Sequence, residues 1–228
     1  MHMNEYVVIS LGGSLVVPEE IDIPFLKKFH SLVVSQVRKG RKFIIIVGGG
    51  KTCRKYQNAA KEITKAKQED LDWIGIHTTR LNAHLLRTIL RNISHPVVIR
   101  NYKEKTHPKK PVIIAAGWKP GHSTDYDATM WAKSFKAKTI LNLSNIDYVY
   151  TSDPKKYSSA KPIKKIPWKD FRKLVGNKWD PGLNVPFDPI ASREAQKSGL
   201  KVVIMNGRDL ANLENFLGGR HFKGTIIE

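Results

Sequence analysis

Residues 43–51 read Phe43-Ile44-Ile45-Ile46-Val47-Gly48-Gly49-Gly50-Lys51, an apolar run that ends in three glycines and a cation. Five apolar residues, most of them β-branched, predict a strand buried on both faces. A second run of this kind, Tyr6–Leu11, ends in Gly12-Gly13. Farther along the chain, apolar strands alternate with amphipathic helices. This alternation predicts an α/β protein, a three-layer α/β/α sandwich with a mainly parallel central sheet.

The other predicted elements follow from the same periodicities and from glycine and proline stops. Further strands are expected at Pro96–Ile99, Val112–Ala116, Thr139–Leu143, Val202–Met205 and Thr225–Ile227. Helices are expected at Ile23–Lys39, Lys51–Lys65, Asp72–Leu90, Thr124–Phe135, Pro189–Ser198 and Asp209–Leu217. Only the Pro- and Lys-rich stretch Ser144–Pro186 shows no clear period, and no internal repeat is visible. The 228 residues therefore predict a single domain.

Composition excludes several classes of protein. The hydrophobic fraction of 41% and the charged fraction of 26% are typical of a globular chain. No apolar stretch is long enough to span a bilayer, and the first residues lack the pattern of a secretory signal. We therefore expect a cytoplasmic protein without a membrane partner. The single cysteine, Cys53, excludes an intramolecular disulfide and any metal cluster made of cysteines alone.

The net charge is unusually positive, because 39 Lys and Arg residues against 20 Asp and Glu residues give +19. An excess of this size suggests an anionic ligand, and nucleic acid is one possibility. However, no basic run is interleaved with aromatic residues as in a base-stacking platform. No specific nucleic acid partner is expected.

Three glycine-rich loops each follow a predicted strand and lead towards a helix. They are Leu11-Gly12-Gly13-Ser14, Gly48-Gly49-Gly50-Lys51 with Arg54 one turn later, and residues 117–125 around Pro120-Gly121-His122-Ser123-Thr124. Glycine lets backbone N–H groups approach a phosphate closely, and a helix N-terminus favours negative charge. Three such loops at the carboxyl edge of one sheet predict phosphate binding. Neither the dinucleotide fingerprint nor the Walker A pattern occurs.

A fourth segment, residues 142–156, begins as a strand and ends in polar turn residues. Ser144 and Asn145 could bond a purine or a ribose, Tyr150 could stack, and Lys155 or Lys156 could meet phosphates. A plain hairpin with a turn at Asp153-Pro154 is the alternative for this segment taken alone.

Taken in order, these elements resemble the amino-acid-kinase family and, within it, the archaeal-type uridylate (UMP) kinases. The motifs that carry the resemblance are Gly12-Gly13-Ser14, Gly48-Gly49-Gly50-Lys51-x-x-Arg54-Lys55-Tyr56, Pro120-Gly121-His122-Ser123-Thr124-Asp125 and Asn145-x-Asp147-x-Val149-Tyr150-x-x-Asp153-Pro154-Lys155-Lys156. Asp72-Trp73-Ile74-Gly75-Ile76, with Thr79-Arg80 and Asn82-Ala83, is also similar to that subgroup. The resemblance implies transfer of a phosphoryl group from ATP to UMP with Mg²⁺, and a homo-oligomer, commonly a hexamer. It also implies an acceptor side in residues 1–136 and an ATP side in residues 137–228.

The resemblance further implies a role for each site residue. The transferred phosphoryl group would lie on Gly12, Gly13, Ser14 and Gly49, and Ser10 and Leu11 precede these residues on the ATP side. Gly48 and Arg54 would border the phosphates, and Asp72 would bond the UMP ribose. Trp118, Lys119, Pro120, Gly121, His122, Ser123 and Thr124 would wrap uracil and its phosphate. Ser144, Asn145, Tyr150 and Asp153 would hold the adenosine of ATP, and Asp125 would organise the catalytic cations. No metal site made of protein ligands alone is predicted.

The chain departs from the family pattern at several positions. Ser10 stands where many relatives have a lysine, and Tyr148 stands where a glycine is common. Residues 179–188 replace a more polar segment, and Asp188 falls where some relatives carry a catalytic lysine. Lys51 is the first candidate for the replacement cation, and Lys155 and Lys156 are the second. The alternative, weighted equally, is that Mg²⁺ and backbone N–H groups suffice.

Other functions stay open from the sequence. An isopentenyl phosphate kinase also phosphorylates a monophosphate, but it would carry a histidine in the helix where Cys53, Arg54, Lys55 and Tyr56 stand. Acetylglutamate and carbamate kinases lack the arrangement from Pro120 to Asp125. A nucleotide sensor or nucleic-acid-binding protein without catalytic activity is the alternative from a different class.

Overall fold

The computed structural model describes residues 5–104, 107–154, 156–176 and 185–228. The Lys155 prediction and most of the 179–188 segment lie outside the described residues. The strands are β1 Tyr6–Leu11, β2 Lys42–Val47, β3 Val112–Ala115, β4 Thr139–Ser144, β5 Val149–Tyr150, β6 Pro162–Ile163, β7 Lys165–Ile166, β8 Lys201–Asn206 and β9 Thr225–Ile227. The helices are α1 Gly13–Val16, α2 Ile23–Arg38, α3 Gly50–Ile63, α4 Gln68–Ile89, α5 Thr124–Ser134, α6 Trp168–Val175, α7 Pro189–Lys197 and α8 Leu210–Leu217.

The main sheet has seven strands in the order β3-β2-β1-β4-β8-β9-β7. The five strands from β3 to β8 are mutually parallel, and β9 runs antiparallel to β8. The chain adds β2 and β3 on one side of β1, and then β4 and β8 on the other. The order therefore reverses between β1 and β4, and in open α/β sheets such a point opens a crevice at the carboxyl ends of the strands.

Alternate residues of the strands enter two separate cores. Val7, Ile9 and Leu11 pack on one face with residues of α1, α2, α4 and α8, and Val8 packs on the other with residues of α5, α6 and α7. Every residue of β1 and β2 after the first is buried, because a helical layer covers each face of the sheet. The predicted three-layer sandwich with a mainly parallel sheet is confirmed.

The predicted strand at Pro96–Ile99 is wrong. Ile99 forms only an isolated bridge to Ala115, and Ser94 forms another to Val112. Proline at position 96 has no N–H to donate to a ladder, which is consistent with this interrupted pairing. This run therefore covers the outer edge of β3 without forming a strand.

Three helices also differ from the sequence expectation, and one of them, α1, was not predicted at all. Helix α4 begins at Gln68, one turn before the predicted start at Asp72. Helix α6 lies within the stretch that shows no clear period, although its Trp168, Phe171 and Val175 are buried at helical spacing. The short amphipathic pattern is hard to read among many lysines, because lysine is common in loops and on helix surfaces. Among the described residues, no helix combines the length and the apolar character that crossing a bilayer requires.

We expect Phe171→Ala to lower the free energy of unfolding by about 3–5 kcal/mol, because it leaves a cavity in the second core. Phe171 is fully buried and packs against Trp168. Leu174→Ala on the same helix is the matched control, since Leu174 is 47% exposed, and its expected effect is within about 0.5 kcal/mol. Urea titration followed by circular dichroism measures both. Equal effects would show that α6 does not belong to the core.

Candidate active site

A polar cleft of about 460 Å³ opens at the carboxyl ends of β1, β2 and β4, where the strand order reverses. Its walls come from the loops after these strands, from α3 and α4, from the start of α5 and from the residues before α7. Predicted site residues that line it are Ser10, Leu11, Gly12, Gly13, Gly48, Gly49, Asp72, Lys119, His122, Ser123, Thr124, Asp125, Ser144 and Asn145. One cleft therefore collects residues from all four segments that the sequence singled out.

The floor of the cleft is backbone, and glycine is required there by close contact. The N–H of Gly12 donates to Leu143 O at 2.8 Å, and the N–H of Gly48 donates to Leu11 O at 2.9 Å. A Cβ atom at Gly13 would lie 2.2 Å from Gly50 N and 2.5 Å from the Gly48 carbonyl. Because a side chain at this position would separate the two loops, Gly13 lets the first two glycine loops touch.

Helix α4 holds the third loop in place. Arg80 donates from Nε to Gly117 O and from Nη2 to Trp118 O, at 3.2 and 3.1 Å. Thr79 Oγ1 accepts the Gly117 N–H, and Asp72 Oδ2 accepts the Gly121 N–H at 2.9 Å. Farther along the helix, the buried Asn82 donates to Gly48 O at 2.9 Å. One helix therefore sets the spacing between the second and third loops.

The Asp125 carboxylate accepts three hydrogen bonds from distant parts of the chain. Oδ1 accepts from Ser10 Oγ of β1 at 3.0 Å and from Asn142 Nδ2 of β4 at 2.9 Å. Oδ2 accepts the backbone N–H of Asp188 at 3.2 Å, and Asp188 caps α7 by accepting the Ala191 N–H. Three donors with no formal charge thus hold this carboxylate between β1 and β4, where the strand order of the sheet reverses.

Two carboxyl groups of the cleft, Asp125 and Asp188, have raised pKa values. Burial, with the Asp188 carboxylate second, raises the pKa of Asp125 to about 7, although the bonds from Asp188 N–H and Ser10 oppose the shift. Burial also raises the pKa of Asp188, against hydrogen bonds from Ala191 N–H and Ser123. Carboxylates with uncompensated charge favour a proton or a cation beside them.

Some predicted site residues lie outside the lining of this cleft. They are Ser14, Lys51, Arg54, Trp118, Pro120, Gly121, Tyr150 and Asp153. Lys51 Nζ pairs with Glu19 Oε1 at 2.8 Å, and Arg54 is exposed on α3. Trp118 packs edge-on against Tyr102, with ring centroids 5.1 Å apart. The roles assigned to these residues stay predictions.

Sequence reasoning did not assign the residues that position the loops. Asn142 was read only as part of a strand, and Thr79 and Asn82 only as parts of a motif. Gln57 lines the cleft from α3 and donates to Leu71 O at 2.8 Å. A polar residue inside an apolar strand, as Asn142 is, was the one usable signal, because a buried amide needs a partner.

The arrangement suits the transfer of a charged group between two bound polyanions. The backbone of the glycine loops forms the floor of the cleft. Hydroxyl and amide groups form its walls, and the Asp125 carboxylate lies at its centre. Among residues 5–104, 107–154, 156–176 and 185–228, no cluster of three or more His, Cys, Asp or Glu side chains could hold a metal ion by itself. Phosphoryl transfer requires positioning and neutralisation of charge more than covalent chemistry.

Fold and cleft define a class of phosphate-handling α/β proteins, and sequence comparison identifies the family. The amino acid kinase family model matches residues 5–206, so the chain belongs to this family. Uridylate kinase of Pyrococcus abyssi is 33% identical over 225 residues, which cover 97% of this chain and 99% of that protein. Uridylate kinase of Thermoplasma volcanium is 33% identical over 229 residues, which cover 99% of each. The crystal structure of uridylate kinase from Archaeoglobus fulgidus superposes with a TM-score of 0.82 at 30% identity, covering 97% of this chain and 99% of that one.

We expect the raised pKa of Asp125 to make its contribution to stability depend on pH. Between its ordinary value of 3.8 and its folded value of about 7, the folded state binds a proton that the unfolded state has lost. The advantage of the wild type over Asp125→Asn in free energy of unfolding should therefore fall by ~1 kcal/mol or more from about pH 5 to about pH 8. Thermal unfolding without divalent metal measures it.

Asp22→Asn is the control, because the pKa of Asp22 is shifted in the opposite direction from that of Asp125. Bonds from Phe25 N–H and Arg208 hold the pKa of Asp22 below its ordinary value. The stability that it contributes is fully present above the unfolded pKa and is lost only in more acidic solution. Over the same pH range the Asp22→Asn difference should stay constant. A constant difference for Asp125→Asn as well would contradict the raised pKa.

Proposed function

We propose that this chain transfers the γ-phosphoryl group of ATP to UMP, giving UDP and ADP. The observation that carries the proposal is the convergence of two glycine loops, the loop before α5 and the end of β4 on the Asp125 carboxylate. The similarity to uridylate kinases over nearly the whole chain supports UMP as the acceptor.

The acceptor would bind between α4 and the start of α5. Asp72 lines this side and offers a carboxylate that already accepts the Gly121 N–H, so it could also accept from ribose hydroxyls. Lys119 and the hydroxyls of Ser123 and Thr124 line the same region. A cation and hydroxyl groups can donate charge-assisted hydrogen bonds to a phosphate.

ATP would bind on the other side of Asp125, beyond the end of β4. Ser144 and Asn145 line the cleft there, and Asn145 is exposed to an incoming ligand. Tyr150 lies on β5 with its ring 6.5 Å from the Tyr148 ring. Stacking of adenine on this aromatic pair stays a prediction from the resemblance.

The reaction needs no general base. A phosphate monoester has a second pKa of about 6, so the attacking oxygen of UMP is largely deprotonated at neutral pH. The chain then has to align the two phosphates and neutralise the oxygens of the moving group. The backbone N–H groups of the two glycine loops would approach these oxygens from the floor of the cleft.

Mg²⁺ fits the donor set of the cleft. This ion usually takes one or two carboxylates, with substrate phosphates and water completing its octahedron. Asp125 is a hard oxygen donor, and its three hydrogen-bond donors carry no formal charge. Asp125 would therefore hold the ion, which supplies positive charge to the phosphates when bound.

Side chains could supply positive charge to the phosphates in addition to Mg²⁺. Ser10 occupies the position of the family lysine, and its hydroxyl donates to Asp125. Lys51 forms its ion pair with Glu19, and Lys156 is exposed. A cationic role for these lysines stays a prediction, as do the hexamer, the cytoplasmic location and the division into acceptor and ATP sides.

A panel of acceptors tests the proposed function. Release of ADP is measured with UMP, CMP, AMP, isopentenyl phosphate and acetylglutamate, with ATP and Mg²⁺ held constant. We expect UMP to give the highest kcat/KM by about tenfold or more, equivalent to ~1.4 kcal/mol in the transition state. If isopentenyl phosphate exceeded UMP by that factor, the nucleotide assignment would be wrong.

Asp72→Asn should raise KM for UMP by about tenfold or more, because a hydrogen bond to a charged group contributes about 1.5–3 kcal/mol. KM for ATP should change by less than about twofold, since ATP would lie across the cleft. Asp70→Asn is the matched control, because Asp70 is exposed on the same helix and does not line the cleft. Equal values of KM for UMP in both variants would show that Asp72 does not bind the acceptor.

A further inference from the structure

Part of the cleft extends between helices α3 and α4. Its lining there is Cys53 and Gln57 from α3, and Asp72 and Gly75 from α4. We call this part the α3–α4 slot. All four residues are partly exposed, so a ligand in the cleft can reach them. Of the four, only Asp72 has a role in the reaction described above.

Gly75 keeps the slot open although packing does not require a glycine there. It lies inside the 22-residue helix α4, where glycine is less favourable than alanine. A Cβ atom at Gly75 would lie 3.5 Å from Gln57 Nε2 and 3.6 Å from Cys53 Sγ, which is ordinary van der Waals contact. At Gly49, by contrast, a Cβ atom would lie 2.6 Å from Cys53 Cβ. A methyl group at Gly75 would therefore occupy the slot without forcing other atoms to move.

The Gln57 amide offers a hydrogen-bond acceptor to the slot. Its Nε2 donates to Leu71 O at 2.8 Å, which fixes the amide beside the turn of α4 that carries Asp72. Because this bond engages the amide nitrogen, Oε1 is the atom left for a ligand. A carbonyl oxygen accepts hydrogen bonds and donates none. The ligand group beside Gln57 must therefore carry a donor.

Asp72 presents acceptors from the opposite wall. Its Oδ1 accepts from Gln68 Nε2 at 2.7 Å, and its Oδ2 accepts from Gly121 N–H at 2.9 Å. A carboxylate can accept more bonds than these two. Two walls with oxygen acceptors suit a group with two neighbouring donors, such as the 2′ and 3′ hydroxyls of a ribose. An alkyl chain and a phosphate dianion carry no donor.

We propose that Gln57 determines the sugar specificity of the acceptor site. Its Oε1 accepts a hydrogen bond from one ribose hydroxyl, Asp72 accepts from the other, and Gly75 leaves room for the ring. The site then selects a ribonucleotide over a deoxyribonucleotide, because a missing hydroxyl leaves an acceptor of the protein unpaired. The inference rests on the proposed function, since it requires a nucleotide acceptor.

Deoxy analogues of the acceptor test the role of Gln57 on the full chain. ADP release is measured with UMP, 2′-deoxy-UMP and 3′-deoxy-UMP, with ATP and Mg²⁺ held constant. Selectivity is kcat/KM for UMP divided by kcat/KM for each analogue. We expect the wild type to favour UMP over each analogue by about fivefold or more, the loss of one hydrogen bond. In Gln57→Met the selectivity against one analogue should fall to within about twofold of unity, because the variant lacks the amide oxygen.

Gln57→Glu separates this role from a purely structural one. Glutamate keeps an acceptor oxygen but cannot donate to Leu71 O, so this variant should keep the selectivity of the wild type. If Gln57 served only to join α3 to α4, Gln57→Met would lower kcat/KM for all three acceptors equally and leave the selectivity unchanged. Asn58→Met is the matched control, because Asn58 is exposed on the same helix and does not line the cleft.

Gly75→Ala tests whether the slot receives the sugar ring. We expect the added methyl group to raise KM for UMP by about tenfold, with KM for ATP within about twofold of the wild type. The melting temperature should not fall, because alanine is the better helix former and its Cβ would meet no close contact. A folded Gly75→Ala with the wild-type KM for UMP would show that the ring does not enter the slot.

The outcomes separate this inference from the proposed function. If UMP is phosphorylated but the wild type accepts both deoxy analogues equally well, the inference is wrong and the function stands. The same holds if Gln57→Met keeps the full selectivity against both analogues. If isopentenyl phosphate is phosphorylated and UMP is not, both fall, because no ribose enters the site. If Gln57→Met does not fold, Gln57→Ala, which also lacks the amide oxygen, decides by the same selectivity.

Discussion

The hydrogen bonds to the Asp125 carboxylate are the interaction on which the cleft depends. Ser10 and Asn142 reach it from β1 and β4, the strands between which the sheet order reverses, and the N–H of Asp188 reaches it from the start of α7. These donors come from residues 115, 17 and 63 positions away in the chain. The Asp125 carboxyl group thus ties together the two halves of the sheet at the centre of the cleft.

The strands and the glycine loops could be predicted from the sequence because their signals are local. Apolar runs such as Phe43–Val47 allow few alternatives once glycines follow them, and the parallel sheet then brings their carboxyl ends together. The run at Pro96–Ile99 has similar composition but only bridges the edge of β3, since pairing depends on a neighbour that composition does not reveal. Helix α6 was missed because two apolar turns among lysines give a weak period.

The lining of the cleft could be predicted where a motif names a residue, but not where a contact crosses the fold. Asp72 and Asp125 stand in motifs and line the cleft, whereas the partners Asn142 and Asn82 act through bonds to residues 17 and 34 positions away. Lys51 was chosen for its place beside Gly50, but the chain turns its amine towards Glu19. The place of a residue in a loop predicts the position of its Cα better than it predicts the position of the end of a long side chain.

The family resemblance implies a lysine at position 10, where this chain has Ser10. A serine hydroxyl can donate to Asp125 but cannot neutralise it, which accords with the raised pKa of that carboxyl. Mg²⁺, Lys119 and the predicted cations Lys51 and Lys156 stay the candidates for the positive charge that phosphoryl transfer requires. Lys119 lines the cleft, whereas Lys51 lies outside its lining.

The central claim is that the Asp125 carboxylate stands at the point of phosphoryl transfer. Rapid-quench single turnover with γ-labelled ATP and saturating UMP and Mg²⁺ tests it most directly, on the wild type and on Asp125→Asn, which keeps the shape of the side chain. The account predicts a rate loss of about 100-fold or more, ~2.7 kcal/mol of barrier, with the Kd for UMP changed by less than about threefold. Transfer by Asp125→Asn within about twofold of the wild-type rate would contradict it.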